Sequence, residues 1–195
     1  MNIISNTCLG AYLTRDVLKE KFSNPFSWNI IDYDSLKLLI ENFDKIKDMS
    51  VKSFRNDNEN FATILLDDKI KIQFVHIKEK QFERFCKDKN NLFVNNCAEY
   101  AKEKFIERLS RMQEDPVFIL QVQPNHNITG NLNKLKNLLN VKSKYPIILI
   151  TKENLEINNE AIFKIKINDS SMLNMPEPLS KYIAETIKRI SKFHQ

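Results

Sequence analysis

The chain has 195 residues, 42% of them hydrophobic and 28% charged, with a formal net charge of +5. That length supports one well-buried core and is short for two, and no run of about 18 apolar residues offers a membrane span. Lys and Arg alternate with Asp and Glu, as in DVLKEKF at 16–22, and no basic stripe with interleaved aromatics occurs, so nucleic acid is not an expected partner.

The opening residues carry no basic segment followed by a long apolar one, so a cytoplasmic address is expected. The three cysteines, Cys8, Cys86 and Cys97, form no CxxC pair, which argues against a disulfide framework and a cysteine-rich zinc site. No HxxxH or HExxH spacing supports another metal centre. The two glycines, Gly10 and Gly130, are too few for a glycine-rich phosphate loop, so no nucleotide cofactor is expected.

In chain order, NIIS at 2–5 is a short strand. A helix is predicted from Asn6 or Thr7 to about Phe22, with Leu9, Leu13 and Val17 at helical spacing and Asn6 or Thr7 as N-cap. Residues 23–32, SNPFSWNIID, read as a loop carrying aromatics. An amphipathic helix follows at 34–46, capped by Asp34 or Ser35. Residues 61–77 alternate as a β-hairpin around Asp67-Asp68, and 80–89 read as a short helix.

The strongest helical pattern is 96–112, with Cys97, Ala101, Phe105, Leu109 and Met112 on one face. A buried strand at 116–122, a helix at 131–140, a buried strand at 145–151, an alternating strand at 161–167 and a helix at 177–193 complete the pattern. Continuous apolar strands separated by helices predict a single α/β domain over 1–195, a three-layer sandwich with a mostly parallel sheet and a β-hairpin.

Cys8 falls in the first predicted helical turn, just past the carboxyl end of the first strand, where open α/β sheets gather ligands. A helix N-terminus there would lower the thiol pKa. Asn6, Thr7 and Gly10 are small or polar and leave room for substrate, and Asn6 or backbone N–H groups could hold an oxyanion. His76 ends a strand and His126 lies in the polar loop after 116–122; either could serve as base. Trp28 could floor a pocket, and Arg108 could hold a carboxylate or phosphate.

The segments SNTCLGAYLTR and SNPFSW, IQFVH and EYAKEKFIERLSRMQEDPVFIL resemble a bacterial family of uncharacterised domains catalogued as papain-like cysteine peptidases. They are also similar to a neighbouring family linked to exopolysaccharide biosynthesis. The resemblance implies Cys8 as nucleophile and His76 as its base, with Trp28 ending the aromatic motif and Arg108 among the helix arginines. Ser27 stands where an Asp is usual before Trp28, Ile77 where an Asp commonly follows the histidine, and Lys104 where an arginine is found.

The expected function is a cysteine-dependent acyl transferase or hydrolase of surface-polysaccharide biosynthesis, acting on a small-molecule or glycan substrate, with the glycan link resting on the resemblance. Asn6, Thr7, Gly10, Trp28, Arg108 and His126 are the expected substrate-binding residues. The alternatives are a non-catalytic glycan- or nucleotide-sugar-binding protein, in which backbone N–H groups of the same edge hold an anion and Trp28 and Arg108 line the pocket, and a glycosyltransferase-like enzyme.

Overall fold

Two sheets meet at one turn. In the computed structural model, residues 2–14, 19, 24–27, 29–55, 62–74, 96–112, 115–122, 129–167 and 177–193 are described. The first sheet is parallel throughout: β1 (Asn2–Ser5), β6 (Pro116–Gln121), β7 (Ile147–Thr151) and β8 (Ile162–Lys166) lie in that order. Every residue of β1, β6 and β7 is buried, as expected of parallel strands covered on both faces. The strand β8 is the edge, with Lys164 and Lys166 exposed, a charge pattern that discourages edge-to-edge pairing.

Alternation along these strands splits the core in two. Ile3, Val117, Ile119, Ile148 and Ile150 face the short helix α1 (Leu9–Tyr12), through Leu9 and Leu13, and the helix α5 (Glu177–Phe193), through Ile183, Ile187 and Ile190. Ile4, Phe118, Leu120, Ile147 and Leu149 face the larger cluster, with α2 (Tyr33–Glu41), α3 (Asn96–Ser110), α4 (Thr129–Leu139) and the second sheet. Phe118 packs edge-on to Phe43, with centroids 5.7 Å apart.

The second sheet corrects the expectation of one sheet with a hairpin. The hairpin β4 (Ala62–Leu66) and β5 (Ile70–Phe74) is the middle of an antiparallel sheet, ordered β2-β5-β4-β3. Its outer strands are β2 (Asn29–Ile31) and β3 (Val51–Arg55). The strand β2 lies inside the segment read as an aromatic loop. Three residues carry little periodicity; pairing of Asn29–Ile31 with Phe74–Ile72 makes them a strand. Asp67 and Asp68 hold the hairpin turn with φ of 48° and 57°, a left-handed backbone that Asp tolerates better than most residues.

The cap of α2 also differs from expectation. Asp32, not Asp34 or Ser35, accepts the Ser35 N–H at 2.8 Å. The Ser35 hydroxyl instead accepts the Lys71 N–H of β5 at 3.0 Å, tying helix to sheet. A 3₁₀ helix over Phe43–Asp48 extends the chain beyond α2. Phe105 of α3 packs edge-on against both Phe26 and Phe74, joining helix, sheet and the segment beside β1. Among the described residues no helix is long and apolar enough to cross a membrane. The helix expected at 80–89 lies outside the described residues.

Candidate functional site

Because β1, β6 and β7 are parallel, their carboxyl ends share one edge, and the turn Asn6–Cys8 leaves β1 there. Its geometry is fixed from several sides. The Asn6 N–H continues the ladder to the Ile119 carbonyl at 3.3 Å. The Asn6 carboxamide forms a two-way clamp on β6: Nδ2 donates to the Gln121 carbonyl at 2.9 Å, and Oδ1 accepts the Gln121 N–H at 2.8 Å.

Thr7 is equally engaged. Its hydroxyl donates to Gln121 Oε1 at 2.7 Å and accepts the Leu9 N–H at 3.3 Å. Its own N–H donates to Ser5 Oγ at 3.3 Å. The side of β1 away from β6 is closed by Asn24, whose Nδ2 donates to the Ile3 carbonyl at 2.6 Å.

Gly10 has a packing reason to be glycine. A β-carbon there would meet Ser5 Cβ at 2.9 Å and Ile3 Cγ2 at 3.5 Å, so only a bare backbone lets α1 lie against β1. Gly10 is buried beneath the turn rather than open to a substrate.

The turn runs beside β2. Ile31 N–H donates to the Asn6 carbonyl at 3.1 Å, and Cys8 Sγ faces the Asn29 carbonyl at 4.0 Å. The Asn6 carbonyl thus lies against the Ile31 N–H, and the Cys8 sulfur against the Asn29 carbonyl. This short run joins the two sheets, with Cys8 at the joint.

The electrostatics of Cys8 differ from expectation. The described helix α1 has four residues, continued by Leu13 and Thr14 in wider π-helical form, and Lys19 has a left-handed φ of 56°, so the right-handed helix expected to run to Phe22 is interrupted at Lys19. Burial pushes the half-buried thiol above its ordinary 9.0, with a backbone hydrogen bond opposing weakly. Cys8 rests as a thiol at neutral pH, which corrects the expectation of a lowered pKa.

Two residues not singled out in the sequence lie at the same edge. Asn29 is fully buried, and neither Oδ1 nor Nδ2 has a hydrogen-bond partner among the described residues. Tyr33, two residues beyond β2, is buried and its phenol is pushed up to about 12, first by desolvation and then by the charge of Glu153, which follows β7. No periodicity marks Asn29, because its burial arises from pairing with β5 and apposition to the Cys8 turn.

Of the expected site residues, Asn6, Thr7, Cys8 and Gly10 are brought together. Arg108 is on α3, partly buried; desolvation lowers its pKa, and the ionisable groups acting on it are Tyr100, Glu107 and Arg111 of the same helical segment. Trp28, His76 and His126, like Cys86, lie outside the described residues. Among the described residues no group of three or more His, Cys, Asp or Glu is gathered as a metal site would require.

Residues 1–191 match the model of a family described as a domain of unknown function, DUF1919. No curated protein matches the chain.

Proposed function

Because the chain belongs to the DUF1919 family of domains of unknown function, we propose its activity from the Cys8 turn itself: acyl transfer or hydrolysis with Cys8 as nucleophile. The observation that carries this is a partly exposed thiol in a turn clamped at the carboxyl edge of a parallel sheet, facing the backbone of Asn29, whose buried carboxamide has no partner among the described residues.

In the proposed reaction Cys8 Sγ bonds to an acyl carbon, and the acyl–oxygen bond breaks with its electron pair leaving on oxygen. The thiol proton passes to a base and on to the leaving alcohol. Water or a sugar hydroxyl then attacks the thioester, releases the acyl group and restores the thiol. The raised thiol pKa assigns real work to that base, since little thiolate exists beforehand. His76 is the base in this reading, and Arg108, Trp28 and His126 are its candidate substrate contacts. A glycan acyl ester in cytoplasmic surface-polysaccharide assembly, within one three-layer α/β domain, is the biological setting proposed, on the family resemblance described above.

The test is acid-quenched mass spectrometry after incubation with p-nitrophenyl acetate. The parent should carry one acetyl group on Cys8, and Cys8→Ala none. Equal p-nitrophenol release by both removes the reading. One observation favours a non-catalytic binding module instead: the same burial that raises the thiol pKa also describes an inert, packed cysteine. A parent that takes no acetyl group yet binds an acetylated oligosaccharide would support it.

A further inference from the structure

We propose that the Asn29 carboxamide is the oxyanion donor of the Cys8 centre, which makes it a further catalytic residue; this rests on the acyl-transfer reading above. The argument begins with the other polar groups of the turn. Asn6 has each carboxamide atom committed to the Gln121 backbone. The Thr7 hydroxyl proton is directed at Gln121 Oε1. The expected oxyanion donor, Asn6, is therefore a structural clamp.

Asn29 is the opposite case. It is fully buried, its backbone carbonyl lies 4.0 Å from Cys8 Sγ, and neither amide atom has a partner among the described residues. Buried carboxamides are nearly always hydrogen-bonded, so a native one that is not calls for a ligand or a chemical role. Asn29 and Ile31 lie on the buried face of β2 while Ile30 faces out. The carbonyl that Sγ faces is that of Asn29 itself, so the Asn29 carboxamide springs from the residue the sulfur touches. An oxyanion born on an acyl group attached to Sγ stays within two bonds of sulfur. A preorganised N–H in that buried setting stabilises the developing charge without reorganising at the moment of reaction.

When Sγ attacks the ester carbon, the carbonyl π pair moves to oxygen, and Nδ2–H of Asn29 donates to it. The pair returns as the carbon–oxygen bond to the leaving group breaks, and the thiol proton passes by way of the base to the leaving oxygen.

Two reagents separate this role from a structural one. Acetylation of Cys8 by p-nitrophenyl acetate passes through an oxyanion, whereas alkylation by iodoacetamide is a direct displacement and does not. In Asn29→Leu and in the smaller Asn29→Ala, neither of which adds a charge or a donor, acetylation should fall about 100- to 1,000-fold while alkylation is unchanged. Asn29→Leu should also melt no lower than the parent, since it removes an unpaired buried polar group. If Asn29→Leu does not fold, Asn29→Ala carries the test. Variants acetylated as fast as the parent, or losing alkylation in proportion, overturn the role of Asn29 alone. A parent acetylated no faster than its urea-unfolded chain overturns the acyl-transfer reading, and Asn29 with it.

Discussion

Asn6 and Gln121 are joined by a reciprocal pair of hydrogen bonds, at 2.9 and 2.8 Å, from one carboxamide to both backbone groups of a strand end. Both residues are buried, so water is not at hand to replace either bond. Asn6→Ala leaves a buried N–H and a buried C=O unpaired, each costing about 1–3 kcal/mol. The expected loss is about 3 kcal/mol in urea unfolding, while Thr7→Val, which removes hydroxyl bonds in a partly exposed site, loses about 1 kcal/mol. A loss below that of Thr7→Val would show that the clamp contributes little.

Gly10→Ala sets two effects against each other. Alanine favours a helix by about 1 kcal/mol over glycine, while overpacking costs about 1–3 kcal/mol. The obstacle at 2.9 Å is Cβ of Ser5 in a buried strand, which cannot swing aside as a long side chain would. The net expectation is destabilisation of about 1 kcal/mol, with faster Cys8 alkylation as α1 lifts from β1 and uncovers the thiol. Unfolding curves and iodoacetamide rates measure both; a stabilised Gly10→Ala contradicts the contact.

The pH dependence of Cys8 follows from burial. The folded thiol holds its proton more tightly than the unfolded one, so its contribution to stability is complete below the unfolded value. As pH rises past 9.0 the unfolded chain ionises first, and stability falls until the folded thiol ionises too. Relative to Cys8→Ala, the parent should lose stability above pH 9.0 and not below it. The Cys8 alkylation rate should reach half its maximum above 9.0; a midpoint below that would reveal a stronger opposing charge.

Phe118 lies at the centre of the larger core, edge-on to Phe43 and 6.2 Å from the Tyr145 ring. Phe118→Ala should cost about 3–5 kcal/mol, the range for a buried phenylalanine that leaves a cavity. Tyr145→Ala, truncating a less buried neighbour, should cost less; denaturation of the two variants under the same conditions ranks them.

The parallel sheet was legible because β6 and β7 each hold an unbroken apolar run, at 117–120 and 147–150, a pattern that demands cover on both faces. The hairpin announced itself through Asp67-Asp68 and the alternation of Ile70, Ile72 and Phe74. The strand β3, VKSFR, alternates around a serine and two cations and borrows its strand character from β4. At the site, Asn6, Thr7 and Cys8 were identifiable by position, but their division of labour was not. Sequence cannot say that one carboxamide is spent on a strand 115 residues away while another, in β2, is left unspent.

That separation bears on how the molecule is made. During synthesis β1 emerges before its ladder partner β6 and its clamp Gln121. Until that residue clears the ribosome the thiol hangs on an unanchored strand end, accessible to any oxidant or acyl donor that meets the nascent chain. Closing so long a loop is slow relative to local helix formation. The reactive centre is thus assembled late, after the antiparallel sheet has been translated, and a ribosome stalled before residue 121 would hold a cysteine without its pocket.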